Sequence, residues 1–508
     1  MQQTTLLLMY SYVERLRNLR VVLKLEKNGN EEESFSKCSA YNMTVAEILE
    51  GSERNVTTEK QIIECEHGWE YDTTWYSSTA PSDSDWVCDK SLNVNNAFAC
   101  GRVGDFLGTL IFGQLGDIIG RKPVFIASLA LVVTGRLITA AATSIYPLFA
   151  LSMLLSNSGA NAVFQTLLAI GIEMSGKGAH SCINTVQYIA WTFGLSLLPF
   201  IQWGSRGWRL FMILTTVPTA LFLFTYRLVP ESPRWLTSKG RTKEASYILN
   251  NIAKANKRKL PANCMNVLNQ LSDSCKNEKC YGIISLFSGL NMAKIITPVS
   301  YDVLLLNIRN LSGNPYLNFF YQSMVELPAY AVGMWMTDSI GRRWTQVFAL
   351  LLNSFTCGGI ILLKSYHDLD WFSIILVMFS KFCVSLSFYT LYLQSLEIYP
   401  TCIRQTGSAA GVITGSAFGV LAPYIVYLGS NSDARYPYVG MGALALLGAI
   451  ASSFLPETMD EHLPETLNDA RVFGKDQKYW HIPWRRKKRT AGIEMEALSK
   501  NMKKDPEM

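Results

Sequence analysis

The chain has 508 residues, 49% of them hydrophobic and 17% charged, with 46 lysines and arginines against 40 acids and a formal net charge of +6. So small a charged fraction over so long a chain excludes a string of soluble domains joined by polar linkers. It leaves a polytopic membrane protein as the class to test along the sequence.

Residues 1–30 form an atypical opening segment. Their one apolar run, Leu6 to Val13, is too short to cross a bilayer, and Arg15, Arg17, Arg20 and Lys24 follow it. Basic residues behind the apolar run rather than ahead of it also exclude a signal peptide. Residues 31–95 are acidic, with four Lys/Arg against fourteen Asp/Glu. Sequons at Asn42, Asn55 and Asn310 and the cysteines Cys38, Cys65 and Cys88 fit an exterior, oxidising location. We expect Cys65 to pair with Cys88, although spacing alone does not fix the connectivity.

Apolar stretches of spanning length then recur at 97–115, 123–142, 146–172, 182–202 and 208–229, and again at 283–308, 316–336, 345–363, 371–395, 407–428 and 436–455. They predict about eleven transmembrane helices in two groups, 96–229 and 283–455. Between the groups, 230–282 holds ten Lys/Arg against four Asp/Glu, and the tail 456–508 holds eleven Lys/Arg. Positive segments stay cytoplasmic, so these two lie inside and 31–95 outside. The loop stretch "SKGRTKEASYILNNIAKANKR" has apolar residues at helical spacing and should lie along the inner membrane surface. "RRKKR" at 485–489, behind a spanning helix, reads as an anchor to acidic lipid and not as a nucleic-acid site. Cys264, Cys275 and Cys280 lack a CxxC pair or a nearby histidine, so no metal is expected.

The two groups repeat each other. "GQLGDIIGRKP" at 113–123 returns as "TDSIGRRW" at 337–344, matching Asp117, Gly120 and Arg121 with Asp338, Gly341 and Arg342. "EMSGKGAH" at 173–180 answers "EIYPTCIR" at 397–404, and "LVPESPRW" at 228–235 answers "FLPET" at 454–458. Matched helix-end signals at matched intervals predict an internally duplicated bundle, its halves related by an axis along the membrane normal. Gly116 and Gly120 would let the chain reverse tightly, and Asp117 would face a neighbouring helix end or an arginine there. Asp117, Arg121, Asp338 and Arg342, with Glu173 and the pairs Glu397/Arg404 and Glu231/Arg234, are read as a gating network that closes the inner side and breaks when the halves rock.

With "PESPRWLTSKGR" (230–241), "EIYPT" (397–401) and the cysteine-bearing "WEYDTTWYSSTAPSDSDWVCD" (69–89), these motifs resemble the organic cation/organic anion/carnitine transporters of the major facilitator superfamily. The resemblance covers about 65–470. It implies an all-α fold of two pseudo-symmetric helical halves and alternating-access movement of a small organic ion, with no covalent chemistry and no cofactor. It also implies a spanning helix ahead of the glycosylated loop, which residues 1–30 do not supply, and a longer seventh helix than 283–308. A transport-inactive or truncated relative acting as receptor or scaffold is therefore the competing reading.

Ionisable residues within the spans need a functional or pairing role. Arg102 and Asp105, three apart, should pair on one helix. Asp302, beside Tyr301, would receive a cation by charge and cation–π attraction or pair with a lysine such as Lys381. Glu326 and Lys381 match family positions and join the cavity candidates, with Tyr330, Tyr389 and Tyr392; Tyr188, Trp191 and Phe388 lie on the same inner helices. Ser416 stands where the family often carries a charge whose sign tracks ion preference, so its neutrality leaves cation, anion and zwitterion open. The partners implied are a small organic ion and the lipid bilayer, with a coupling ion unspecified.

Overall fold

The computed structural model describes residues 73–142, 145–176, 179–261, 263–276, 314–363, 370–399, 404–422, 424–425 and 435–459, the single residues 69, 71 and 477, and three strands near the amino terminus. Those strands, β1 (Leu23–Lys27), β2 (Glu33–Tyr41) and β3 (Ile62–Glu64), form an antiparallel sheet in the order β1-β2-β3 ahead of the bundle. The span expected at 283–308 lies outside the described residues.

The first half contains α1 (Leu92–Ile118), α2 (Arg121–Ala141), α3 (Tyr146–Met174), α4 (His180–Ser205) and α5 (Trp208–Leu221), the last continued by a 3-10 turn to Arg227. Short helices α6 (Pro233–Ser238), α7 (Thr242–Ala255) and α8 (Cys264–Lys276) follow in the basic loop. The second half contains α9 (Pro315–Met324), α10 (Glu326–Ser339), α11 (Arg342–Leu363), α12 (Asp370–Ile398), α13 (Arg404–Gly419) and α14 (Tyr436–Ser453). Helices α9 and α10 join at Val325 into one span-length rod. Five helical stretches in the described residues, among them α2, α11 and α14, are long and apolar enough to cross a membrane by length and composition.

Phe193, Phe224, Leu228, Phe355 and Phe454 are well exposed along the outer helix faces. In water such a belt would be a liability, but in hydrocarbon it costs nothing, because each helix satisfies its own backbone groups. Inside the first half, Gly104 and Gly108 lie directly against the backbone of Leu154 and Ser158, so α1 and α3 touch where any side chain would separate them. The halves meet along two seams, α1 against α13 and α4 against α9 and α10.

Opposite the basic loop, segment 71–91 caps the bundle. The indole nitrogen of Trp208 donates to Asp83 at 2.9 Å, and the Tyr316 hydroxyl donates to the Trp75 carbonyl at 2.6 Å. Burial and the Asp85 carboxylate beside it push the Tyr71 hydroxyl well above the usual tyrosine range. Cys88 is disulfide-bonded. Cys65, the partner expected for it, lies outside the described residues, as do Asn42, Asn55 and Asn310.

Candidate functional site

Each half begins its second described span-length helix with the same turn. Gly120 (φ 111°) and Gly341 (φ 96°) sit in the left-handed region that favours glycine, just before α2 and α11. The first amides of each helix, which have no intrahelical acceptor, are taken by an acid from the end of the same half. Glu231 accepts from the Arg121 amide at 3.0 Å and the Lys122 amide at 3.2 Å. Glu457 accepts from the Arg342 amide at 2.8 Å and the Arg343 amide at 3.1 Å. Placing a carboxylate at a helix amino terminus is favourable twice over, by hydrogen bonding and by the helix dipole. Burial nevertheless pushes the Glu457 carboxyl up from its ordinary value.

The arginines of the two turns point inward to a second acid. Arg121 contacts Glu173 at 3.1 Å with both side chains fully buried, and Arg342 grips Glu397 with two nitrogens, each at 3.1 Å. The aspartates reach across to the opposite half. Asp117 accepts from the Thr406 amide at 2.9 Å and hydroxyl at 2.7 Å, so it caps the first turn of α13. Asp338 accepts from the Ser181 hydroxyl at 2.6 Å at the first turn of α4. Each half thus holds the start of a helix from the other, and the gating residues predicted from the repeat converge on one end of the bundle.

Three details correct the sequence reading. Arg404 faces Glu173 at 3.3 Å, across the seam, and not Glu397. Glu231 is the cap of α2, and Arg234 donates to the Glu173 carbonyl at 3.3 Å. Gly116 is not the hinge: its Cα faces the Gln405 side chain, so its missing Cβ admits α13, while the turn itself rests on Gly120. Sequence reasoning also missed Ser181, Thr406 and His180. All three lie within or next to the answering stretches 173–180 and 397–404, so reading those stretches for their last positions as well as their first would have found His180.

Deeper in the bundle, Lys381 lies 2.9 Å from Glu326, both side chains about 1% exposed. Lys381 is thus held by Glu326; Tyr301 and Asp302 lie outside the described residues. The other Glu326 oxygen accepts from the Tyr330 hydroxyl at 3.0 Å and, from the opposite half, the Thr192 hydroxyl at 3.4 Å. Three tyrosines cluster beside this pair with their rings tilted against one another: the ring of Tyr188 is 4.7 Å from Tyr330 and 5.6 Å from Tyr389. Phe164, Trp191, Phe388 and Tyr392 extend the aromatic wall. Ser416 is buried on α13. Arg102 and Asp105 pair at 3.3 Å as expected. No group of three or more metal-type ligands occurs among the described residues.

A family model described as sugar (and other) transporter matches residues 50–469. The chain belongs to this transporter family. The chain is 31% identical to the human organic cation/carnitine transporter 2 over 82% of its own length and 76% of that protein. It is 33% identical to the mouse solute carrier family 22 member 21, over 86% and 80%, and 30% identical to the Drosophila melanogaster carcinine transporter, over 92% and 71%. In fold it is similar to the xylose transporter XylE from E. coli in a partially occluded inward-open form, with TM-score 0.61, 16% identity, and coverage of 74% of this chain and 90% of that one. The fold of this transporter is therefore that of the major facilitator superfamily, a multi-pass membrane bundle, and its relatives include the organic cation/carnitine transporters that its loop and hinge motifs resemble.

Proposed function

We propose that the protein carries a small organic ion, an organic cation or a carnitine-like zwitterion, across the plasma membrane by alternating access. The observation that supports this most directly is the Glu326–Lys381 pair, buried between the halves and walled by Tyr188, Tyr330 and Tyr389. A buried acid among aromatic faces suits a cation, by charge and by cation–π attraction. The lysine beside it balances that acid and can turn to a substrate carboxylate.

The converging charged clusters are the gate of this cycle. The basic loop 230–282 and tail 456–508 put that end in the cytosol, with the acidic, glycosylated segment 31–95 outside. Because the clusters link the halves at this end, breaking them lets the halves part there while the opposite end closes over the cavity.

Uptake of labelled tetraethylammonium, carnitine and p-aminohippurate into cells expressing the full chain tests the reading. Cation or carnitine uptake that is lost in Glu326→Gln, with surface labelling unchanged, is the expected result. Absence of all three despite surface expression rejects it.

A further inference from the structure

The two gating clusters are built from corresponding residues with one exception. Asp117, Arg121 and Glu173 correspond to Asp338, Arg342 and Glu397, and Glu231 corresponds to Glu457. The residue seven positions after each inner acid reaches back across the seam: Arg404 follows Glu397 and contacts Glu173, while His180 follows Glu173 and contacts Glu397. With Glu231 and Glu457 set aside as helix caps, the ion pairs of the first half join two acids, Asp117 and Glu173, to two permanent bases, Arg121 and Arg404. The second has two acids and one permanent base, with a histidine where the repeat places the other.

The second cluster is also the looser one. Arg121 lies 3.1 Å from Asp117, whereas Arg342 lies 3.8 Å from Asp338, and the Asp338 side chain is 37% exposed. Asp117 takes an amide and a hydroxyl of Thr406, while the bond described from α4 to Asp338 is the Ser181 hydroxyl. His180 is itself buried, its Nδ1 3.3 Å from Glu397 Oε1 and its Nε2 without a hydrogen-bond partner among the described residues. The charged groups around it are Glu397 on α12, Arg342 on α11 gripping the same carboxylate, Asp338 at the end of α10, and Arg343 with Glu457 beside Arg342. Among these the acids outnumber the permanent bases, and a proton on the imidazole removes the excess.

We propose that His180 is a proton-binding site that completes the second cluster, so that protons on the gate side hold the two halves closed. This inference rests on the gating role given to the clusters above. Histidine is the side chain whose charge changes near neutral pH. Protonated, it donates to Glu397 as a cation and matches Arg404 across the pseudo-twofold axis. Deprotonated, it leaves Asp338 and Glu397 sharing Arg342, and the seam between α4 and α12 loosens.

The test uses the full chain in inside-out membrane vesicles. Ala169, fully buried in the apolar layer shared with Leu393 and Leu396, is replaced by cysteine (Ala169→Cys) and exposed to a membrane-impermeant maleimide. The labelling rate, less that of the chain without this cysteine, is measured at pH 6.2 and 7.6 with native His180, with His180→Arg and with His180→Gln. Dividing by the His180→Arg rate at each pH removes the intrinsic pH dependence of the thiol. We expect the native ratio to be near one at pH 6.2 and to rise severalfold at pH 7.6, because only the protonated imidazole carries the charge that arginine always has. Against His180→Gln, the native rate should match at pH 7.6 and fall behind at pH 6.2, so the result stands even if one variant fails to reach the membrane. Ratios that do not change with pH overturn the proposal. Asp117→Asn should raise labelling at both pH values; if it does not, the gating role itself fails, independently of any proton.

Discussion

The Tyr389 hydroxyl lies 3.0 Å from the carbonyl oxygen of Ser181, and the hydroxyl of the same serine donates to Asp338 at 2.6 Å. One serine thus joins the aromatic wall beside Glu326 to the charged cluster at the end of the bundle. Tyr389 also shares a hydrogen bond of 2.9 Å with Thr185. Tyr389→Phe removes both bonds yet keeps the ring. We expect maximal uptake to fall severalfold while the half-saturating substrate concentration stays within about twofold, as for a residue that acts on a conformational step and not on binding. Concentration series of labelled substrate separate the two.

Asp117→Asn keeps the shape of the side chain but removes the charge that faces Arg121 and the first turn of α13. Arg342→Ala leaves Glu397 buried without its main partner. Removing one member of a buried pair costs about 3–5 kcal/mol, so the closed form should be depopulated and transport should fall at least about tenfold. Uptake normalised to surface biotinylation measures it, and normal uptake in both variants would show that the clusters do not gate.

Lys381→Met strands the Glu326 carboxylate in a site about 1% exposed. By the same reasoning this should lower the thermal midpoint of the purified protein markedly, and Glu326→Gln added to it should restore much of the loss, because an unpaired charge is worse than none. A double-mutant cycle by thermal unfolding in detergent reads the coupling. Simple additivity would mean that the two residues do not depend on each other.

Gly120→Ala forces a side chain into a left-handed position at a cost of about 1–2 kcal/mol. It also drives a Cβ toward the Glu231 carboxylate and the Trp235 ring. Gly341→Ala meets the same backbone penalty at the corresponding turn. Gly116→Ala has ordinary backbone geometry but presses on the Gln405 side chain across the seam. Thermal stability should therefore fall most in Gly120→Ala, whereas Gly116→Ala should mainly change transport. Melting curves beside uptake assays distinguish these outcomes.

Composition and span length alone determined that the chain crosses a membrane many times, because the thickness of the hydrocarbon layer fixes how many apolar residues a helix must carry. The doubled motif likewise determined the two-half plan and drew Asp117, Arg121, Asp338 and Arg342 together, since a repeated sequence folds into a repeated unit. Only the tertiary structure decided who pairs with whom. Arg404 reaches Glu173, Lys381 reaches Glu326, and Glu231 turns from a gate acid into a helix cap, because partners 55 to 231 residues apart are chosen by how helices cross and not by spacing along the chain. The histidine at position 180 was legible in the sequence all along, but its meaning depended on the place of Arg404 across the seam.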